Sequence, residues 1–195
     1  SADREALALR LHQQKNSLYA QRMHSHPIPL RPGVLELLTE SRDRRIIQGV
    51  VTTTSRSNVE ALLIAHLGAQ WSQWFEIILC GEDVSAKKPH PEVYERATAH
   101  LLKLGIAKDQ ILAVEDSPNG VRAASSAGLA VILTRSTYFM NASSAGTCAD
   151  GDSFQERSSW TSLRTTEQTT GFKPSTQRNH IGLDDLIEWH AAKWA

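Results

Sequence analysis

The stretch Gln110-Ile111-Leu112-Ala113-Val114, apolar after its first residue, ends abruptly in two adjacent carboxylates, Glu115 and Asp116, and helix-start residues follow at once. No other stretch constrains the fold as much. A short apolar run bounded in this way reads as a buried strand. Ser117 suits the N-cap and Pro118 the first helical position, so a helix begins where the strand stops. Both acids are thereby placed at the carboxyl end of a strand, where open α/β sheets hold their ligands.

The same unit recurs along the chain. Residues 46–52 (Ile-Ile-Gln-Gly-Val-Val-Thr) read as a buried strand feeding the hydroxyl-rich turn Thr53-Thr54-Ser55 and then a helix. Ser57 and Glu60 have capping-box spacing, which predicts that this helix starts at Ser57. Residues 75–80 form a second strand candidate, and residues 91–104 a helix with Val93, Tyr94, Ala97 and Leu101 at helical intervals. The helix after Pro118 stops near Gly128, and residues 129–133 (Leu-Ala-Val-Ile-Leu) read as a fourth strand. Strands alternating with helices predict an α/β fold with a parallel sheet.

The flanks differ. Residues 2–23 carry a helical pattern with Leu7, Leu11 and Leu18 on one stripe, and Lys15 falls on that stripe. The breaker-rich turn at 26–33 separates it from a short helix with Val34, Leu37 and Leu38 on its apolar face. Residues 141–180 are rich in Ser, Thr, Gly and Gln and read as a polar loop or poorly ordered segment. Residues 181–195 resume as a short amphipathic helix.

Composition narrows the function classes. Lys plus Arg number 21 and Asp plus Glu 21, so no whole-chain field draws the protein to nucleic acid or a membrane surface. No apolar run approaches the roughly 20 residues that span a bilayer. Two cysteines, Cys80 and Cys148, are too few for a disulfide framework or a cysteine zinc site, and they fit a reducing compartment.

Three features carry candidate chemistry. Thr52, Thr53 and Thr54 precede a helix N-terminus, where hydroxyls, free N–H groups and the helix dipole can cradle a phosphate; capping and turning is the plainer alternative. Lys88, held against Pro89, can neutralise a phosphoryl oxygen as a fixed charge, or be one of a solvated lysine pair with Lys87. Glu115 and Asp116 suit a hard cation such as Mg²⁺, which takes one or two carboxylates plus water and substrate phosphate; the alternative is a capping acid beside an exposed neighbour.

In this order the segments VVTTTSRSNVEALL, GEDVSAKKPHPEVY and LAVEDSPNGVRAASSAGL resemble motifs two, three and four of the haloacid dehalogenase superfamily, in its CbbY-like and β-phosphoglucomutase-like branch. The resemblance implies a Rossmann-like parallel sheet flanked by helices and a Mg²⁺-dependent phosphatase acting on a sugar phosphate or bisphosphate. It gives Thr52 and Lys88 catalytic roles, Thr53 and Thr54 phosphate binding, and Glu115 and Asp116 the metal. Residues 1–25 resemble the last helix of the family's cap, with Lys15 and Asn16 matching residues that grip the substrate's far phosphate. Residues 26–140 correspond to the core. A cytoplasmic or plastid-stromal setting is expected from this branch. Two other readings share the motifs, a phosphomutase and a non-catalytic phosphate-binding module.

One motif of the family has no match. Its first strand ends in Asp-x-Asp, whose first acid attacks phosphorus, and the acids ahead of Thr52 are Asp3, Glu5, Glu36, Glu40 and Asp43, none at the end of an apolar strand. The expected fold therefore lacks its first, central strand and most of the helical cap. Two sheet edges should lie open where that strand belongs. Little or no phosphatase activity is expected of these residues alone, because covalent catalysis needs its nucleophile. A missing segment of the same protein is the expected partner.

Overall fold

The alternation seen in the sequence becomes an alternation of strands and helices. The structure, a computed structural model, describes residues 2–162 and 178–195. In chain order the elements are α1 (Ala2–Ser25), α2 (Val34–Asp43), β1 (Gly49–Val51), α3 (Arg56–Leu67), β2 (Ile77–Leu79), α4 (Glu92–Lys103), β3 (Leu112–Glu115), α5 (Pro118–Ser126), β4 (Ala130–Thr134), β5 (Ala149–Gly151), β6 (Thr161–Ser162) and α6 (Leu183–Ala192).

β4 shows why its sequence reads as an unbroken apolar run. Successive side chains point to opposite faces. Val131 and Leu133 pack with Val93 and Tyr94 of α4 and Val121 and Ala124 of α5. Ala130 and Ile132 point the other way, to Leu186 and Trp189 of α6, Phe154, and Val34 and Leu37 of α2. All five β4 residues are buried. Burying each large side chain of such a strand is worth about 1.5–3 kcal/mol.

The strands form two sheets. β3, β4, β5 and β6 make one, parallel except for the β5–β6 pair, and β1 and β2 make a separate parallel pair. β1 and β3 each end their own sheet, and no ladder joins them. The architecture is thus α/β with parallel strands flanked by helices.

Four expectations need correction. The strand anticipated at 46–52 begins only at Gly49, and Ile46 and Ile47 are 45% and 50% exposed. The Ile46 amide instead donates to Ser41 O at the end of α2, which holds the chain off the ladder. The helix anticipated from Ser57 starts at Arg56 with Ser55 at the N-cap. On α1 the leucine stripe faces outward, with Leu7, Leu11 and Leu18 48%, 56% and 64% exposed. The inward stripe is Asn16, Tyr19 and Met23, spaced three and four residues apart.

The segment anticipated as loop at 141–180 contains β5 and β6, which extend the main sheet. Ala149-Asp150-Gly151 has no apolar pattern, and its place is fixed by tertiary contacts instead. Arg135 pairs with Asp150, and Gly151 lies against Trp160, where an added Cβ would sit 2.4 Å from the indole. Trp160 in turn stacks between Phe154 and Trp189, at centroid distances of 5.3 and 5.0 Å. The remainder of that expectation, residues 163–177, lies outside the described residues.

Candidate active site

The hydroxyl turn follows β1 directly. Thr52 N–H continues the ladder to Leu79 O at 2.9 Å, so the turn starts from a fixed backbone. Thr52 Oγ1 then accepts from Thr54 N–H at 3.2 Å. Thr54 O accepts from Gly81 N–H at 2.8 Å, an approach that needs glycine, because a Cβ at 81 would lie 2.4 Å from Thr53 O. Thr53 is exposed, and its amide has no acceptor among the described residues. The turn therefore presents hydroxyls and an open N–H together.

Lys88 reaches this turn from the loop before α4. Its ammonium donates to Val51 O at 2.9 Å, the residue before Thr52, and to Glu115 Oε1 at 2.5 Å. It also lies 4.9 Å from the centroid of the Tyr94 ring and 3.5 Å from its hydroxyl. One largely buried cation thereby spans the ends of β1 and β3, the strands that no ladder joins. A buried ion pair is stable only when its remaining polar atoms are matched, and here the carbonyl and the phenol match them.

Glu115 is 6% exposed, and its Oε1 accepts from both Lys88 and the Tyr94 hydroxyl. Its other oxygen lies beneath Gly120, where an added Cβ would be 1.7 Å away. Ser117 caps α5 by accepting from Gly120 N–H at 3.2 Å, which brings that glycine over the carboxylate. Burial, reinforced by the Glu115 charge, pushes the Tyr94 phenol well above its ordinary value, so it keeps its proton, donating to Glu115 while accepting from Lys88.

Asp116, the next residue, is exposed and open at the strand end. Arg31 stands near it, donating to Thr134 O and Arg135 O at 2.6 Å and to Asp152 O at 2.5 Å. Burial lowers the Arg31 pKa, and the charges of Asp116 and Asp152 work against that.

Two of the expected cap residues part company. Asn16 is half-buried, and its Oδ1 accepts from Asn58 Nδ2 at 3.2 Å, whereas Lys15 is exposed. The structure thus brings Thr52, Thr54, Lys88, Glu115 and Asp116 to one end of the strands and links Asn16 to them through Asn58. Sequence reasoning missed Tyr94, Arg31 and Asn58 as parts of the site. Tyr94 had a signal, six residues after Lys88 on an apolar helix face; a lone Asn in a helix has none.

The geometry tests the anticipated cation site. Asp116 offers an open carboxylate, while Glu115 is engaged by Lys88 and Tyr94. Among the described residues no third His, Cys, Asp or Glu joins them. The residues present fit one corner of a Mg²⁺ shell and leave the rest to water, phosphate and other groups.

The family model for haloacid dehalogenase-like hydrolases matches residues 4–134, including every group just described except Arg135, Asp152 and their neighbours. The chain belongs to the haloacid dehalogenase-like hydrolases. Within this enzyme family it falls in the CbbY-like branch. It is 40% identical to the plasmid-borne protein CbbY of Cupriavidus necator over 128 residues, 66% of this chain and 49% of that protein. It is 38% identical to CbbY of Cereibacter sphaeroides over 146 residues, 75% of this chain and 62% of that one. The crystal structure of Rhodobacter sphaeroides CbbY in complex with xylulose-(1,5)bisphosphate superposes with a TM-score of 0.70 at 36% identity, covering 74% of this chain and 63% of that one. The chain thus spans roughly half to three-fifths of the length of these relatives. Among the described residues no helix is long and apolar enough to cross a membrane.

Proposed function

We propose that these residues are the phosphate-binding part of a Mg²⁺-dependent phosphatase that acts on a small sugar phosphate or sugar bisphosphate. The observation that carries the reading is Lys88, whose ammonium joins the turn of Thr52, Thr53 and Thr54 to the Glu115-Asp116 end of β3. Hydroxyls, an open amide, a largely buried ammonium and an exposed carboxylate then converge where a phosphoryl group needs positioning and charge neutralisation. The sugar bisphosphate bound by the similar CbbY structure supports the substrate class.

Each residue has a role. Thr52, Thr53 and Thr54 orient the phosphoryl oxygens, and Lys88 offsets their charge. Glu115 and Tyr94 hold Lys88 in place. Asp116 takes Mg²⁺, with Glu115 contributing through water; the ion would neutralise the phosphate and fix its geometry. Lys15 and Asn16 of α1 face the far end of the substrate. The attacking carboxylate comes from a strand outside these residues, laid between β1 and β3, which no ladder joins.

Phosphate release from a panel of sugar mono- and bisphosphates, with and without Mg²⁺, tests this reading. The 195 residues alone should release none. The same chain preceded by the apolar Asp-x-Asp strand of a CbbY relative should release phosphate with Mg²⁺ and lose that activity on Asp116→Asn. Release by the chain alone would remove the need for an outside nucleophile. An inert extended chain that still folds would remove the phosphatase reading.

A further inference from the structure

Asn58 is buried in the first turn of α3, only 5% exposed, and its two amide hydrogens go to different parts of the molecule. One reaches Asn16 Oδ1 on α1 and the other Thr54 Oγ1 in the hydroxyl turn, both at 3.2 Å. Its own Oδ1 is buried with no partner among the described residues, an arrangement that is costly to maintain.

The chemistry of hydroxyls gives this link a direction. A threonine hydroxyl has one proton, so an Oγ1 that accepts from Asn58 is left to donate that proton elsewhere. Thr52 Oγ1 accepts separately, from the Thr54 backbone N–H, so its hydroxyl too is left to donate. The row Asn16, Asn58, Thr54 thus leaves the Thr54 hydroxyl a donor, the polarity that an anion requires. Its far end lies on a lightly held helix. α1 docks through Asn16, Tyr19 and Met23, while Leu7, Leu9, Leu11 and Leu18 stay exposed.

We propose that Asn58 is a positioning residue that couples the docking of α1 to anion binding at the Thr52–Thr54 turn. With α1 seated, the amide of Asn58 is fixed and the Thr54 hydroxyl is preset as a donor. With α1 displaced, that amide is free to turn and the Thr54 hydroxyl loses its orientation. By reciprocity, an anion on the turn strengthens the seating of α1. The inference rests on the phosphate-binding reading of the turn and adds to it a means by which the helix senses occupancy.

Inorganic phosphate is the probe, titrated into the 195-residue chain while amide NMR shifts of the turn and hydrogen exchange of α1 are followed. In the unaltered chain, phosphate should slow exchange along α1. Asn16→Ala should weaken phosphate about five-fold, the worth of one hydrogen bond, and abolish the effect on α1. Asn58→Ala should do the same. Asn16→Asp keeps the acceptor for Asn58 and should restore both affinity and coupling. If Asn16 instead touched phosphate directly, the added negative charge would weaken binding further, which would overturn the proposal. Unchanged affinity in Asn16→Ala, or α1 exchange indifferent to phosphate, would overturn it too while leaving the turn a phosphate site. Absence of phosphate binding by the unaltered chain would bring down the phosphate reading of the turn and the coupling together.

Discussion

β4 and β2 are both short parallel strands, yet every residue of β4 is buried and every residue of β2 is only partly so. β4 has a strand on each side and helices on both faces, whereas β2 has β1 alone beside it. The candidate site draws on both sheets. Its hydroxyls come from the looser pair and its acids from the firmer sheet, and Lys88 with α4 holds the two together. Stability and chemistry are therefore distributed unequally: the firm half sets where the acids stand, and the less buried half carries the hydroxyl turn.

The connection between the halves should give the largest effect. Glu115→Ala leaves the Lys88 ammonium buried and unpaired, at a cost of about 3–5 kcal/mol in chemical denaturation. A loss under about 1 kcal/mol would show that Lys88 simply swings into water. Next come paired truncations within the strands. Ile132→Ala in β4 should cost about 2–5 kcal/mol, and Ile78→Ala in β2 clearly less, because its surroundings are already open. Equal costs would erase the contrast.

Helix starts sharpen the same comparison on a smaller scale. Ser117 caps α5 by accepting from a helix N–H, whereas Ser55 at the start of α3 caps no N–H and bonds only the Ser57 hydroxyl. Ser117→Ala should cost about 1 kcal/mol, and Ser55→Ala less. The smallest effect is one of pH. Burial holds the His190 imidazole below its ordinary value, outweighing the nearby charge of Asp109. The unfolded chain then accepts a proton that the folded chain resists, so stability should fall as pH drops below about 6.5. His190→Gln should flatten that fall in melting temperature; an unchanged slope would assign it to other groups.

The firm half was also the more legible. Residues 129–133 read as a buried strand because alternate side chains feed two cores, and Ser117-Pro118 announced α5 by local chemistry alone. Lys88 and the acidic pair stood at element boundaries that the pattern marked. What escaped was settled by tertiary contacts. The leucines of α1 suggested a buried face, but the helix docks through Asn16, Tyr19 and Met23. β5 was hidden because Ala149-Asp150-Gly151 joins the sheet through an ion pair and a glycine beneath an indole, not through periodicity. Asn58 had no signal because its importance lies in two partners distant from each other along the chain.

The aromatic stack beneath the main sheet has an optical consequence. Trp160 and Trp189 lie 5.0 Å apart with their planes inclined by 17°, close enough for their excited states to couple. Trp71 packs instead in the α3 cluster beside β2, and Trp74 lies beneath the Arg42 guanidinium at 4.6 Å. Each half thus carries its own intrinsic chromophores. Near-ultraviolet dichroism would follow the coupled pair, and fluorescence of single-tryptophan variants at 71 or 74 would follow the other half, so the order in which the halves loosen can be watched without any added label.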